Sequence, residues 1–196
     1  MQVFHQTEKD YTTSTWSGGT TTQLFIWPPQ ASYNKRDFLF RVSSATVEAE
    51  TSTFTELPGI VRSITPLEGG FTLQHKGHYS VTLKPLQIDS FSGDWQTTCL
   101  GKARDFNLML KNCQGQLELL LRSKRLAIEP AQREAFEGFY FTKPGSCLLN
   151  EEIHLVQAGD LLLLHLTAED DRMEVILQVE ETLHLQIQLQ VVISPV

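Results

Sequence analysis

The amino-acid sequence predicts an all-β protein, built as an antiparallel sandwich or barrel. Roughly a dozen short apolar or alternating runs are separated by turn signals about every 8–12 residues. Several runs alternate between apolar and polar residues, which is the period of a half-buried strand. Only residues 130–137 have a composition that a helix tolerates, and they would suit an exposed loop equally well. The lack of helices excludes a doubly wound α/β fold.

The length of 196 residues suits one large domain or two smaller halves. A chain of this size can bury roughly 70% of the surface of the unfolded chain, so its core needs no disulfides. The three cysteines, Cys99, Cys113 and Cys147, are widely spaced and form no CxxC pattern. Neither a disulfide framework nor a zinc site is therefore predicted.

The net charge and the N-terminal residues indicate the expected partners and the cellular location of the protein. The net charge is −7, which argues against nucleic acid and anionic membranes as partners, because both reward basic patches. Residues 1–11 contain no apolar signal core, and no apolar run approaches 18 residues. The expected location is the cytoplasm.

The first part of the chain predicts a strand, a loop and a second strand. A strand is expected around Val3, and residues 11–22 have the Thr, Ser and Gly content of a loop, with Trp16 at its centre. The paired glycines Gly18 and Gly19 permit close backbone approach or positive φ. The loop is not a phosphate-binding loop, since no GK[ST] follows it. Residues 23–27 predict a strand that ends at a Pro-Pro pair.

Residues 38–68 hold two strand-like runs joined by an acidic, threonine-rich turn and a Leu-Pro-Gly break. In the first run, Arg41 and Ser43 share one face and apolar side chains occupy the other. In the second run, Arg62 lies on the same face as two isoleucines. The two arginines could converge at one end of a barrel and hold an anion. Alternatively, each could pair with a nearby carboxylate.

Further alternating runs follow. Asp105 and Asn107, two residues apart, share one strand face, and residues 111–115 look like a junction between two halves. The last run is the most regular, because the apolar residues from Leu183 to Val191 alternate with His184 and a series of glutamines. It predicts a half-buried strand. Other strands are expected at residues 71–75, 79–83, 88–91, 117–122, 139–141, 161–164 and 173–179.

The residue pattern predicts neither a metal site nor another cofactor. His75 and His78 are spaced HxxH around a turn, and positions i and i+3 of a strand point to opposite faces. His154 and His165 are isolated, so packing or surface roles are expected for all four. Cys99 has no histidine near it in sequence and no GxSxG occurs, which argues against nucleophilic catalysis.

Acid–base chemistry is left open by the sequence. Asp94, Asp105 and Glu68 could supply an acid–base pair, although sequence gives no distance between them.

Five motifs resemble the HutD/Ves family: WSGGTTTQLFIWP, FRVSSATVE, FTELPGIVRSITPLEG, FSGDW and DFNLM. Its members resemble two cupin-like (RmlC-like) antiparallel β-barrels in one chain. The resemblance is dense over residues 16–110 and continues in VQAGDLLLLH, at residues 156–165. It implies one bicupin-like unit over residues 1–196, with a first cupin-like half at 1–110 and a second at 115–196.

Two positions depart from the family pattern. Many members carry an asparagine in a longer loop after the tryptophan, where this chain has a shorter Ser17-Gly18-Gly19. Gln23 stands where a glutamate is common. No role that rests on that asparagine or that carboxylate is transferred to this chain.

The resemblance implies a non-catalytic protein that binds a small molecule, with a regulatory role in amino-acid catabolism such as histidine utilisation. It implies seven pocket-lining, ligand-binding residues: Trp16, Thr21, Arg41, Ser43, Arg62, Asp105 and Asn107. Paired guanidiniums favour a carboxylate-bearing metabolite as the ligand, because they bind carboxylates in a bidentate way.

Three alternatives remain at the level of the sequence. Trp16 could be a core plug instead of a pocket wall, and Asp105 could pair with the arginines without any ligand. The protein could be a metal-independent cupin enzyme, an isomerase or hydrolase acting on a small organic acid. A homodimer formed through the leucine-rich last strand is a further expectation, because exposed strand edges pair readily.

Overall fold

The computed structural model describes residues 1–129 and 132–189, and the chain divides into two compact units. The first unit is Asp10–Asn112, and the second comprises Met1–Lys9 and the chain from Cys113 onward. Apart from a 3-10 turn at Glu8–Asp10, the regular elements of the described residues are strands. The all-β prediction is confirmed. In the described residues, no helix is long and apolar enough to cross a membrane.

The first unit contains two antiparallel sheets. Its strands are β2 (Thr12–Trp16), β3 (Gly19–Trp27), β4 (Phe40–Val47), β5 (Thr51–Thr53), β6 (Ile60–Gly69), β7 (Phe71–His75), β8 (Ser80–Leu83), β9 (Asp89–Ser92), β10 (Thr97–Leu100) and β11 (Ala103–Lys111). One sheet has the order β2-β3-β4-β11-β6-β9 and the other has the order β5-β10-β7-β8.

The loop predicted at residues 11–22 is a β-hairpin. Trp16 pairs with Gly19, so the turn between β2 and β3 is only two residues long. The threonines that suggested a loop are β-branched and favour the extended backbone of a strand. Gly19 has a φ of +150°, and a Cβ there would lie 1.9 Å from the backbone oxygen of Thr46. Glycine is therefore required at this position, as the predicted close backbone approach implied.

Strands β4 and β11 lie side by side and are buried on both faces. On one face Phe40, Val42, Phe106 and Leu108 are wholly buried. Polar side chains occupy the other face, and Arg41 is among those that are buried there. Polar residues on a buried face need an explanation, because burial without hydrogen bonds is costly.

Two β-bulges lie beside this polar face. The β3–β4 register shifts between Gln23 and Phe25, and the β11–β6 register shifts between Arg104 and Asp105. A bulge turns the local direction of side chains and is common next to binding sites.

The second unit also has two antiparallel sheets. Its strands are β1 (Gln2–Gln6), β12 (Cys113–Leu120), β13 (Lys124–Ile128), β14 (Ala135–Phe141), β15 (Gly145–Leu149), β16 (Glu152–Val156), β17 (Leu161–Leu166), β18 (Met173–Gln178) and β19 (Thr182–Leu189). The sheet orders are β1-β17-β14-β19-β12 and β13-β18-β15-β16. The sequence analysis assigned residues 1–9 to the first half. In the structure β1 pairs with β17, and these residues belong to the second unit.

Residues 130–137, which the sequence left open as a short helix or an exposed loop, form no helix where the structure describes them. Residues 132–134 form a bend, and Ala135 begins β14; residues 130 and 131 lie outside the described part. β14 pairs with β17 on one side and β19 on the other. Ladder hydrogen bonds on both sides outweigh the helical preference of Ala and Glu, which is a weak local effect.

The last strand differs from the prediction in two ways. Leu183 and Leu185 are buried as expected, but His184 on the opposite face is also buried. β19 lies between β14 and β12, so it is not a sheet edge. The described residues of this strand therefore offer no free edge for a dimer, and the homodimer stays a prediction. Residues 190 and 191 of the predicted run lie outside the described part.

Candidate functional site

The first unit encloses a cavity of about 370 Å³. The side chains around it come from β2, β3, β4, β6 and β11, from β5 and from the loop after β3. All seven residues named from the sequence line it: Trp16, Thr21, Arg41, Ser43, Arg62, Asp105 and Asn107. The structure therefore brings them together. That they bind a ligand stays a prediction.

Arg41 is held in a fixed position. Its Nε donates to Gln23 Oε1 at 2.9 Å and its Nη1 donates to Ser43 Oγ at 3.0 Å. The guanidinium carbon lies 4.6 Å from the centre of the Tyr33 ring. Only 6% of the residue is exposed, and burial lowers the pKa of its guanidinium to about 10. The side chain remains a cation near neutral pH.

Arg62 is equally buried but has fewer polar partners. It is 6% exposed, and its Nε is enclosed without a hydrogen-bond partner. Its guanidinium carbon lies 4.5 Å from the ring centre of Phe54 and 5.3 Å from that of Phe91. Burial lowers the pKa of this guanidinium to about 10. Aromatic faces attract a cation but do not satisfy its N–H donors.

Asp105 and Asn107 complete the polar wall. Asp105 Oδ1 accepts a hydrogen bond from the Ala45 backbone N–H at 3.1 Å. Burial raises the pKa of Asp105 to about 7, against the opposing effects of this bond and the two arginines. Asn107 Oδ1 is enclosed and has no hydrogen-bond partner. The wall thus offers a carboxyl that can be neutral near pH 7 and an unused amide oxygen.

The described residues contain no ion pair between either buried arginine and a carboxylate. Asp105 influences the charge of both guanidiniums at a distance, without contact. The direct arginine–aspartate pair that the sequence left open is not formed. Two buried cations face the cavity without a neutralising partner, and this is costly for a folded protein.

Trp16 forms the rim of the cavity and is not a core plug. It is 39% exposed. Its ring lies over Gly18, where an added Cβ would come within 2.1 Å of the ring atom Cζ3. The glycine therefore lets the indole lie flat against the hairpin turn.

Three residues near the arginines were missed by sequence reasoning. Tyr33 and Phe54 line the cavity and contact the guanidiniums, and Gln23 orients Arg41. Gln23 could have been found, because it follows Thr21 on the same strand face. Tyr33 lies in a loop without periodicity, and Phe54 follows the short strand β5 of the other sheet, so the sequence carried no local signal for either.

The other acid–base candidates lie elsewhere. Glu68 pairs with Arg104 at the surface, with 2.6 Å between Oε1 and Nη2. Asp94 is exposed and accepts a hydrogen bond from Ser92 Oγ at 2.7 Å. Of the three, only Asp105 lines the cavity. Cys99 is buried, and burial raises the pKa of its thiol to about 11, so it is not a thiolate at neutral pH.

His75 and His78 have different environments. His75 is buried between Thr97 Oγ1, 2.9 Å from Nδ1, and Asp89 Oδ2, 3.0 Å from Nε2. His78 stacks on Trp95 with 3.8 Å between ring centres. Within the described ranges, no three His, Cys, Asp or Glu side chains converge.

A divalent metal does not fit the cavity. Its polar lining consists of two guanidiniums, hydroxyls, two amides and one carboxyl, so a divalent cation would meet two positive charges and only one anionic ligand.

The HutD family model matches residues 8–186. This chain belongs to the HutD family. The structure of HutD from Pseudomonas fluorescens in a formate condition is 22% identical with a TM-score of 0.78, covering 96% of this chain and 100% of that one. A conserved protein of unknown function from Pseudomonas aeruginosa is 21% identical with a TM-score of 0.79, covering 96% and 98%.

A more distantly related structure also shares the fold of this chain. The bacterial pirin YhhW from Escherichia coli, solved in complex with nickel(II), is 10% identical. Its TM-score is 0.66, covering 97% of this chain and 100% of that one. These likenesses establish an all-β, cupin-like fold, as the sequence predicted.

Proposed function

We propose that this HutD-family protein binds a small carboxylate-bearing metabolite without transforming it, and that it acts as a regulator of amino-acid catabolism such as histidine utilisation. One observation carries the proposal. Arg41 and Arg62 are buried cations that face one cavity, and neither is paired with a carboxylate. A carboxylate ligand would supply the missing charge and accept hydrogen bonds from the guanidiniums.

The size and walls of the cavity support a small organic acid. A volume of about 370 Å³ lies in the usual range of small-molecule sites, roughly 300–1,000 Å³. Trp16, Tyr33 and Phe54 give the cavity aromatic surfaces for the ligand's carbon atoms. Asn107 Oδ1 can accept a hydrogen bond from an amide or amine of the same ligand.

The regulatory role and the pathway rest on membership of the HutD family. The suitable ligands to test are therefore carboxylates of that pathway and their simplest relatives. A panel of histidine, urocanate, formiminoglutamate, N-formylglutamate, glutamate and formate varies the group attached to the carboxylate. Formate is the smallest member and matches the condition named for the Pseudomonas fluorescens structure.

Thermal unfolding with this panel, followed by calorimetry on each ligand that shifts the transition, tests the proposal. A ligand at 100 times its Kd adds about 2.7 kcal/mol to stability. We expect one acid to stabilise the wild type but not Arg62→Met. The matched control is Arg125→Met, which removes a surface arginine paired with Glu174 in the second unit. Equal binding by wild type and Arg62→Met would contradict the proposal.

An enzyme is the second candidate, and the carboxyl of Asp105 favours it. A pKa of about 7 in a cavity is the value expected of a general acid or base near neutrality. On this alternative, the protein is a metal-independent isomerase or hydrolase acting on the same class of acid. Mass spectrometry after incubation with each ligand separates the two. Conversion that Asp105→Asn abolishes would favour the enzyme, and an unchanged ligand would favour the binding protein.

A further inference from the structure

The second unit contains a cavity of its own, of about 630 Å³. Strands β12, β13, β14, β17 and β19 contribute its lining. Leu126, Ile128 and Leu166 provide an apolar wall. The opposite wall is the polar face of β19, which the alternation of the sequence marks with His184 and the following glutamines. A polar strand face thus lines this cavity, which is open to solvent at exposed residues such as Gln114 and Gln188.

A chain of hydrogen bonds crosses this polar wall. His184 Nε2 lies 2.6 Å from Glu137 Oε2, and Gln186 Nε2 donates to Glu137 Oε1 at 3.2 Å. Gln116 Nε2 donates in turn to Gln186 Oε1. The imidazole also stacks on Phe139, with 4.9 Å between ring centres and 3° between the planes. The carboxylate and the imidazole are therefore held in fixed orientations.

His184 and Glu137 line the cavity as a hydrogen-bonded pair. When Nε2 carries the ring proton and donates it to Glu137, Nδ1 has a free lone pair. In the part of the chain that the structure describes, Nδ1 makes no hydrogen bond to protein and is not an enclosed atom. An N–H group in the cavity can donate to it.

The charges of this cavity are opposite to those of the first. Its described lining includes Glu129 and Glu137 but no lysine or arginine. Glu129 is neutralised by Arg172 at the surface, with 3.1 Å between Oε1 and Nε, so Glu137 is the charge that faces inward. We infer that this cavity binds a small organic cation: a protonated amine with a short apolar body. The ammonium donates to His184 Nδ1 and Glu137, and its carbon atoms contact the leucine and isoleucine wall.

Cyclohexylamine and cyclohexanecarboxylate form a matched pair of probes for this site, since they share one apolar ring and carry opposite charges. We expect calorimetry near pH 7.5 on the full-length Arg62→Met protein, whose carboxylate site in the first unit is disabled, to show millimolar or tighter binding of the amine and much weaker binding of the acid. The ring ¹⁵N signals of His184 should shift with the amine. Glu137→Gln, which keeps the shape and removes the charge, should weaken amine binding about ten-fold or more.

A second variant keeps the test valid if Glu137→Gln fails to fold. Gln188 lines the cavity and is exposed, so Gln188→Lys should fold while placing a cation at the site. It should weaken amine binding and strengthen acid binding. Arg62→Met, in the first unit, should leave amine binding unchanged, which separates this site from the carboxylate site. Equal binding of amine and acid by Arg62→Met, no binding of either, or insensitivity to both charge variants would overturn the inference.

Discussion

Arg41 and Arg62 lie in one cross-strand row, on either side of Met109. Each of them is the register partner of Met109, Arg41 on β4 and Arg62 on β6. Two strand spacings separate their backbones by roughly 10 Å, which leaves room for a carboxylate between the two guanidiniums. Their hydrogen bonding is unequal: Arg41 is bound to Gln23 and Ser43, whereas Arg62 Nε has no partner.

This inequality predicts opposite effects on stability without ligand. Arg41→Met should lower the free energy of unfolding by about 1–3 kcal/mol, because it leaves Gln23 Oε1 and Ser43 Oγ without their donors. Arg62→Met should leave it unchanged or raise it by up to about 2 kcal/mol, because an unpaired buried charge is replaced by an apolar side chain.

Urea unfolding of the two variants measures the difference. Arg125→Met, which breaks a surface pair, should change stability by about 0–1 kcal/mol and serves as the control. A large loss of stability in Arg62→Met would show that its charge is compensated within the folded chain, and the carboxylate site would lose its main support.

Asp105 predicts a stability that falls as pH rises. In the unfolded chain it ionises with the ordinary aspartate pKa of 3.8, and burial raises the pKa in the folded protein to about 7. Between about pH 4 and pH 7 the folded state therefore holds one more proton, and raising the pH favours unfolding. Above pH 7 the free energy of unfolding is lower by the full amount, roughly 4 kcal/mol, because each unit of pKa shift corresponds to about 1.4 kcal/mol.

Asp105→Asn tests this directly. The asparagine keeps an oxygen for the Ala45 N–H and cannot ionise. We expect it to be more stable than the wild type at pH 8 and to lose the decline between pH 5 and pH 8. Asp94→Asn, at the surface, should keep the decline. A wild-type stability that does not fall over this range would mean that the folded carboxyl ionises as freely as in the unfolded chain.

The polar wall of the first cavity was predictable because it depends on local geometry. Side chains alternate with a period of two along a strand, so Arg41 and Ser43 had to share a face, as did Asp105 and Asn107. The register between strands was not predictable from this pattern, and it decides that Arg62 lies across Met109 from Arg41. The alternation left convergence of the two arginines as one of two alternatives, and the motif resemblance favoured it.

Other parts depended on tertiary packing. Tyr33 and Phe54 reach the arginines from a loop and from the other sheet, where no periodicity marks them. Ala135 begins a strand despite helix-forming neighbours, because strands pair with it on both sides. His184 lies on a polar strand face that would ordinarily meet solvent, but this face lines a cavity. A period of two cannot distinguish a polar face that only meets solvent from one that lines a cavity.

Gly18 controls the position of Trp16. Because a Cβ at Gly18 would come within 2.1 Å of the indole, Gly18→Ala should displace the ring from the hairpin and change the fluorescence of Trp16. The ring is part of the cavity rim, so carboxylate affinity should fall, and Trp16→Ala should reduce it by a similar factor. Stability should change by less than about 1 kcal/mol, since the indole is partly exposed.

Fluorescence, calorimetry and urea unfolding of both variants separate these effects. Trp16→Phe, which keeps a flat aromatic surface, is the control and should retain most of the affinity. If Gly18→Ala moves the indole and the affinity stays at the wild-type value, Trp16 is not a wall of the binding site.

His75 is predicted to stabilise the fold without taking part in the carboxylate site. Its two ring nitrogens bond Thr97 Oγ1 and Asp89 Oδ2, and Tyr79 also donates to Asp89, at 2.9 Å. His75→Leu fills similar space but leaves these buried partners unsatisfied, so the free energy of unfolding should fall by about 2–4 kcal/mol. Carboxylate affinity measured well below the melting temperature should be unchanged, because His75 does not line the first cavity. His78→Leu, which removes only a stacked ring, is the control and should cost less than about 1 kcal/mol. A loss of affinity in His75→Leu at full folding would instead link this hydrogen-bond network to the binding site.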